Sequence, residues 1–366
     1  MTKTLPMRGV HAARAGAAAT AARLVSVGTA TPPNRYTQDQ VLEWAQETDP
    51  KIRALFRNSH ISTRHLYLPP HVDGRVPDET NEQLLERHLN GVLELGPLAV
   101  ARALGPLELG PQDVDFLVCV TSTGFLCPGV SAHLIREMGL REDLQRVDIV
   151  GMGCNAAVNA LQSATAVAAS RPGSVGVVLC VEICSAAYVL NRTLSTAVVN
   201  SLFGDGAVAV VVRADHDDGW AAGPAVTDFE SFIHTETIGS MKYGLEGGKL
   251  SFFLARDIPW VIGANAHRPV DRLLRRNGLE RGDVDHWVIH SGGKKVIDAI
   301  AANLGLSDHD VRHTRAILRT HGNLSSGAVL FGFQELRRDA AAAEGDVGVL
   351  IAMGPGMSIE TALLRW

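Results

Sequence analysis

Three side chains in this sequence have the types and settings that acyl-transfer chemistry needs. Cys154 lies in Gly151-Met152-Gly153-Cys154-Asn155-Ala156-Ala157, a glycine-flanked turn leading into small residues. The pattern puts a thiol in the first turn of a helix, where the positive end of the dipole favours thiolate. A thiolate there can take up an acyl group as a thioester. His290 closes the apolar run Trp287–Ile289 and precedes Ser291-Gly292-Gly293. Strand ends facing such turns are where α/β enzymes place reactive groups. An imidazole there can pair with the thiolate or donate to a developing oxyanion. Asn323, in His321-Gly322-Asn323-Leu324-Ser325-Ser326-Gly327, offers an uncharged amide donor suited to a carbonyl becoming an enolate. The competing readings are an inert buried thiol, a structural histidine and a helix N-cap asparagine. Cys119, Cys127, Cys180 and Cys184 read as inert buried thiols, and His286, His313 and His321 as structural hydrogen-bonders.

The elements that must position these residues are partly legible. Leu24–Thr29 is short, β-branched and followed by Thr31-Pro32-Pro33, a strand and then a turn. Thr37 with Gln40 makes a capping box, so a helix starts there. Val114–Val120, Val175–Val181 and Ala207–Val212 are near-continuous apolar runs, the mark of strands buried on both faces. The charge-free stretch Ile149–Ser170 reads as a helix buried in protein.

The two halves of the chain echo each other. Asp113–Val118 matches Asp283–Val288 at an offset of 170, and Gly173–Val177 matches Gly345–Val349 at 172. Gly153-Cys154-Asn155 aligns with Gly322-Asn323-Leu324 at 169. Three matches in one order with near-constant offset predict a duplicated α/β unit. Cys154 and Asn323 then occupy equivalent points, and a pseudo-two-fold would bring both to the interface between halves, where small-molecule sites are common. The predicted organisation is a leader over 1–23, a half over 24–217 and a half over 218–366, linked near Asp215–Gly223, where Asp, Gly and Pro cluster.

Composition narrows the function. The chain has 366 residues, 46% apolar and 20% charged, with a net charge of −5, enough for two packed domains and no reason to expect nucleic-acid binding. Five cysteines in so long a chain do not read as a disulfide framework, and no partner pair completes a zinc site with Cys180 and Cys184. No apolar run is long enough to span a bilayer. The first 38 residues hold arginines and no acid, which mimics a transit peptide but reads as a flexible Ala/Arg-rich leader. Reduced thiols in a cytoplasmic protein are expected.

The segments GMGCNAAVNAL, HSGG, GNLSSG and the closing Met353-Gly354-Pro355-Gly356-Met357-Ser358-Ile359-Glu360 resemble type III polyketide synthases of the chalcone synthase superfamily. The resemblance runs from about Leu24 to Trp366. Cys119–Gly129, Asp148–Ala156, Ala197–Gly206, His290–Asp298 and Val311–Thr314 narrow it to the bacterial 3,5-dihydroxyphenylacetyl-CoA synthases. The Cys/His/Asn set alone is shared with ketoacyl-carrier-protein synthase III; the GPG ending and GNLSSG favour the polyketide synthases.

This resemblance implies a thiolase-like α/β fold with duplicated, layered α/β/α/β/α halves, and a homodimer. It implies that Cys154 carries the growing chain, while His290 and Asn323 stabilise the enolate left when malonyl-CoA loses CO2. Phe203 and Phe252 match gatekeepers between the coenzyme A tunnel and the cavity, with Phe253 adjacent. Ser122 and Thr123 would line the cavity. Cys127 would sit where plant relatives place a methionine that crosses the dimer interface. Arg57, Arg64, Lys294 and Lys295 fall where the family holds the coenzyme A phosphates, although spacing differs around the two arginines. No metal and no cofactor is implied, since malonyl-CoA is a substrate. The narrower subfamily uses malonyl-CoA as starter and extender and supplies aromatic units for antibiotic biosynthesis. Enoyl-CoA hydratase-like helper proteins would accompany it.

Two departures from plant enzymes, Ala352-Met353 before Gly354 and Ser291 in place of proline, occur in that subfamily. The alternatives are a type III synthase making pyrones or resorcinols from a fatty or aromatic starter, and a non-catalytic thiolase-fold partner subunit. The intact Cys154, His290 and Asn323 set speaks against the last.

Overall fold

The computed structural model describes residues 21–214, 223–246 and 248–366. The first twenty residues of the expected leader, the 217/218 boundary and all of the expected linker but Gly223 lie outside the described residues.

Among the described residues there are thirteen strands: β1 (Arg23–Ala30), β2 (Arg35–Thr37), β3 (Thr63–His65), β4 (Phe116–Val120), β5 (Gln145–Ile149), β6 (Gly176–Glu182), β7 (Gly206–Arg213), β8 (Ala225–Ile233), β9 (Met241–Glu246), β10 (Lys249–Leu254), β11 (His286–Ile289), β12 (Val347–Gly354) and β13 (Ser358–Arg365). Nine join in the order β11-β12-β13-β8-β1-β7-β6-β4-β5, while β9–β10 and β2–β3 form small two-stranded sheets. The apolar runs become β4, β6 and β7, each buried on both faces as their composition requires.

The sheet carries the duplication. β4 runs parallel to β6 and β6 antiparallel to β7; β11 runs parallel to β12 and β12 antiparallel to β13. The halves meet at β1 and β8, which share the single pair Arg23↔Ala225. Hydrogen bonds repeat too. Val175 N donates to the Asp115 carboxylate at 2.9 Å, and Val347 N to the Asp285 carboxylate at 2.9 Å. The offsets of the sequence matches are therefore offsets of structurally equivalent residues.

Helices fill the layers. Asn81–Leu104 packs on β1 and β7 from outside the first half, and His267–Arg276 packs on β8 and β13 outside the second. Between the halves lies Ala156–Ser170, touching β4 and β6 on one side and β12 and β13 on the other. Five of its seven alanines are fully buried, as such a position needs, because small side chains let the backbone approach both arms of the sheet at once. The helix is shorter than the stretch Ile149–Ser170 suggested. β5 claims Ile149, and a tight turn over Gly153–Asn155 intervenes. Thr37 and Gln40 do form a reciprocal capping box, on Gln38–Trp44.

Candidate active site

Cys154 sits in that tight turn, buried at the start of the central helix. Gly153 makes the turn possible: its φ is +71°, and a Cβ there would fall 2.4 Å from Cδ of Pro355. The closing Gly354-Pro355-Gly356 loop thus lies on the cysteine turn, which the linear sequence keeps two hundred residues apart.

Asn323 is buried on the equivalent loop of the second half. Its backbone N donates to Leu202 O at 2.8 Å, and its carbonyl accepts from Gly204 N at 2.9 Å, so it is stitched to the Phe203 segment. Its side chain is not an N-cap: the 3-10 turn over Ser325–Gly327 has Leu324 at that position, and the α-helix begins only at Ala328. Instead Oδ1 accepts from Ser325 N at 2.9 Å. That bond fixes the amide orientation and leaves Nδ2 as a donor without a partner among the described residues. Ser325 closes the link to the thiol, with Oγ 3.6 Å from Cys154 Sγ.

His290 follows β11, its backbone N donating to Ile351 O at 2.8 Å. The next residue, Ser291, donates to Gly322 O at 3.2 Å and ties the histidine loop to the asparagine loop. Burial drives His290 down to about 3, so the ring is neutral. Burial also pushes Cys154 up to about 12, partly offset by the Ser325 hydrogen bond. This reverses the thiolate expected from the helix dipole: the charged sulfur loses more solvation than the short helix start returns. No hydrogen bond joins His290 to Cys154, so the two are not a resting ion pair.

The cavity at Cys154 is lined by Thr123, Cys184, Ala187, Val199, Phe203, Tyr243, Phe252 and Ser325 and holds about 20 Å³. Phe203 and Phe252 meet edge to face at 5.6 Å and close it. Alternation along β10 settles which phenylalanine faces inward: Phe252 is buried and Phe253 exposed. A larger cavity of about 630 Å³ is lined by Trp44, Phe56, Arg75 and Arg192 among others and does not contain the cysteine.

The sequence reading missed Glu182, the end of the β6 run, which is fully buried. It accepts from Ser122 N at 2.9 Å, Thr123 Oγ1 at 3.0 Å and Ser326 Oγ at 2.5 Å. An acid closing an otherwise apolar strand was the available signal. Tyr243 and Cys184 were also missed as lining residues; Cys184 remains a protonated thiol, held high by burial.

Two family models cover the chain: the chalcone and stilbene synthase N-terminal domain over residues 10–216 and the C-terminal domain over 229–366. The chain belongs to the chalcone and stilbene synthase family. It is 49% identical to the 3,5-dihydroxyphenylacetyl-CoA synthase of Amycolatopsis orientalis, over 94% of this chain and 93% of that one. It is 32% identical to the 1,3,6,8-tetrahydroxynaphthalene synthase of Streptomyces peucetius subsp. caesius, over 94% and 93%. The crystal structure of 1,3,6,8-tetrahydroxynaphthalene synthase from Streptomyces coelicolor A3(2), a bacterial type III polyketide synthase, superposes with a TM-score of 0.86 at 26% identity, covering 94% and 99%. The duplicated layers are the thiolase-like fold of these synthases.

Among the residues matched to this family's coenzyme A contacts, Arg64 requires correction. It is wholly buried, with Nη1 donating to Tyr188 Oη, Asn200 O and Phe203 O and Nη2 to Gln38 Oε1. Four acceptors hold its fork, and no phosphate reaches it. Arg57 is exposed and paired with Asp39 at 3.0 Å. Lys294 pairs with Asp298 one helical turn on, and Lys295 is exposed. Cys127 is exposed rather than buried and does not line the cavity of its own chain.

Proposed function

We propose that this protein is a type III polyketide synthase that condenses four malonyl-CoA into 3,5-dihydroxyphenylacetyl-CoA for antibiotic biosynthesis. The observation that carries the reading is the close, full-length similarity to synthases of that name, joined to the setting of Cys154, His290 and Asn323.

Cys154 attacks an acyl-CoA; the new C–S bond replaces the old one, and the thiol proton ends on coenzyme A. Malonyl-CoA then loses CO2, and the electron pair passes to an enolate oxygen. Neutral His290, protonated at Nε2, and Asn323 Nδ2 donate to that oxygen. Loss of CO2 generates the carbanion without a strong base, and loss of one such donor raises a barrier by about 3–4 kcal/mol. The carbanion attacks the Cys154 thioester and lengthens the chain by two carbons. In the tetraketide the terminal methyl carbon attacks the β-ketone, and loss of water gives the aromatic ring.

Phe203 and Phe252 gate the cavity, and Thr123 shapes its wall, whereas Ser122, expected to line it, is buried beside Thr123 and does not reach the cavity. Arg57, Lys294 and Lys295 are the cations left to meet coenzyme A at the surface. The chemistry needs neither metal nor cofactor. A homodimer is supported by the open edge of β5 and by Phe125, Val147, Val150 and Met152 exposed beside it; Cys127 would then reach toward the partner. Acyl-CoA substrates favour a cytoplasmic location, with hydratase-like helpers acting on the product.

The deciding experiment is incubation of the pure protein with malonyl-CoA alone and identification of products by mass spectrometry. An eight-carbon aromatic acyl-CoA is expected. Turnover only after a fatty or aromatic starter is added would replace this reading with the pyrone or resorcinol one.

A further inference from the structure

The loop Thr121-Ser122-Thr123-Gly124 leaves the end of β4 and supplies one wall of the Cys154 cavity. Three groups hold it. From the centre, Glu182 accepts from Ser122 N and Thr123 Oγ1. Next to the cavity, the Tyr243 hydroxyl donates to the Ser122 carbonyl. On the outer side stands His88, from the helix Asn81–Leu104.

His88 is completely buried. It occupies the apolar stripe Leu84, His88, Val92, Leu95, Ala99, where leucine would suffice for packing. Its Nε2 lies 3.0 Å from Thr121 Oγ1. Its ring lies against Gly124, where a Cβ would fall 2.4 Å from Nδ1 and 2.6 Å from Cγ. The imidazole therefore engages both ends of the loop. Nδ1 has no hydrogen-bond partner, so the ring carries a desolvation penalty that an apolar residue would avoid.

We propose that His88 is a positioning residue that fixes the Thr121–Gly124 loop, so that Thr123 shapes the space in which the bound chain folds. This rests on the polyketide synthase reading. His88 acts through the loop, at the step where the finished chain chooses its ring. In the productive fold a carbon attacks a ketone. In the competing one an enol oxygen attacks the thioester carbonyl; a C–O bond forms, the C–S bond breaks, and the enol proton leaves with the sulfur as a lactone is released. A displaced wall admits the second fold. Acylation and decarboxylation use groups on other loops and keep their rates.

The test compares His88→Leu, Thr121→Val and His88→Gln with wild type on malonyl-CoA, measuring CO2 release and the lactone-to-aromatic product ratio. His88→Leu removes the hydrogen bond at similar volume, and Thr121→Val removes it from the other side. Each should raise the ratio about 5-fold, the equivalent of one hydrogen bond near 1 kcal/mol, with CO2 release within about 2-fold of wild type. His88→Gln reaches Thr121 again and should move the ratio back. The double variant should change it no more than either single, because both delete one interaction. A wild-type ratio in folded Thr121→Val, or CO2 release falling in step with product, overturns the proposal. Should His88→Leu not fold, Thr121→Val decides alone. A wild-type enzyme inert toward malonyl-CoA would refute the function instead; a crystal structure of Thr121→Val then decides the loop, with an unmoved Thr121–Gly124 counting against His88.

Discussion

Cys154 and His290 are both neutral at rest, which sets their testable behaviour. With its thiol raised to about 12, Cys154 should react with iodoacetamide about tenfold faster per pH unit from pH 7 to 10. A rate that levels off below pH 9 would show a more acidic thiol than burial allows. Cys154→Ala should abolish chain formation, whereas Asn323→Ala should slow CO2 release far more than acyl loading; single-turnover assays separate the steps. Equal losses in both steps would remove Asn323 from the enolate. His88 is lowered to about 4 by burial, against 6.5 in the unfolded chain. Between those values the unfolded state holds the extra proton, so the contribution of neutral His88 is present above pH 6.5 and lost as pH falls toward 4. The stability of wild type relative to His88→Gln should therefore fall by about 3 kcal/mol from pH 7 to pH 4, read by denaturant titration. A constant difference would mean that the ring is not desolvated. These values come from surroundings, and that is why the sequence misjudged the thiol. A helix start was visible around Cys154, but its low-dielectric enclosure by Phe203, Phe252 and Tyr243 was not.

At the scale of elements, the strands were legible because apolar runs such as Val175–Val181 have one stable setting, between two layers. The helix before Ser170 was misjudged at its start, because absence of charge fits a buried strand end and a buried turn equally. Asn323 looked like a cap because asparagine before serines often is one; the carbonyl–amide bond to Ser325 N is a local turn instead. Gly153 is where an element depends on one atom. Gly153→Ala places a Cβ against Pro355 at a left-handed φ, and should cost on the order of 2–3 kcal/mol and most of the activity. Thermal denaturation and turnover check this; a variant with wild-type stability would show that the Pro355 loop yields freely.

Across the whole molecule, the sheet ends in β5, an open edge with Val147 45% exposed. If that edge meets a second copy, Val147→Lys should shift a dimer toward monomer in light scattering, since a charge on an edge strand blocks pairing. An unchanged mass would place the interface elsewhere. Sequence alone determined the duplicated α/β plan, since repeats at offsets near 170 survive as repeated strands and repeated Asp-to-backbone bonds. It also singled out Cys154, His290 and Asn323 as candidates for the chemistry, because glycine-flanked turns and strand ends constrain the chain locally. Tertiary structure decided what those residues experience. Arg64, a plausible phosphate ligand by position, is spent inside the protein on Tyr188, Asn200, Phe203 and Gln38. Protonation of Cys154 and His290, the inward choice of Phe252 and the grip of His88 on Gly124 all depend on atoms far apart in the chain. Burial and contact are properties of the packed whole, so no local pattern could encode them.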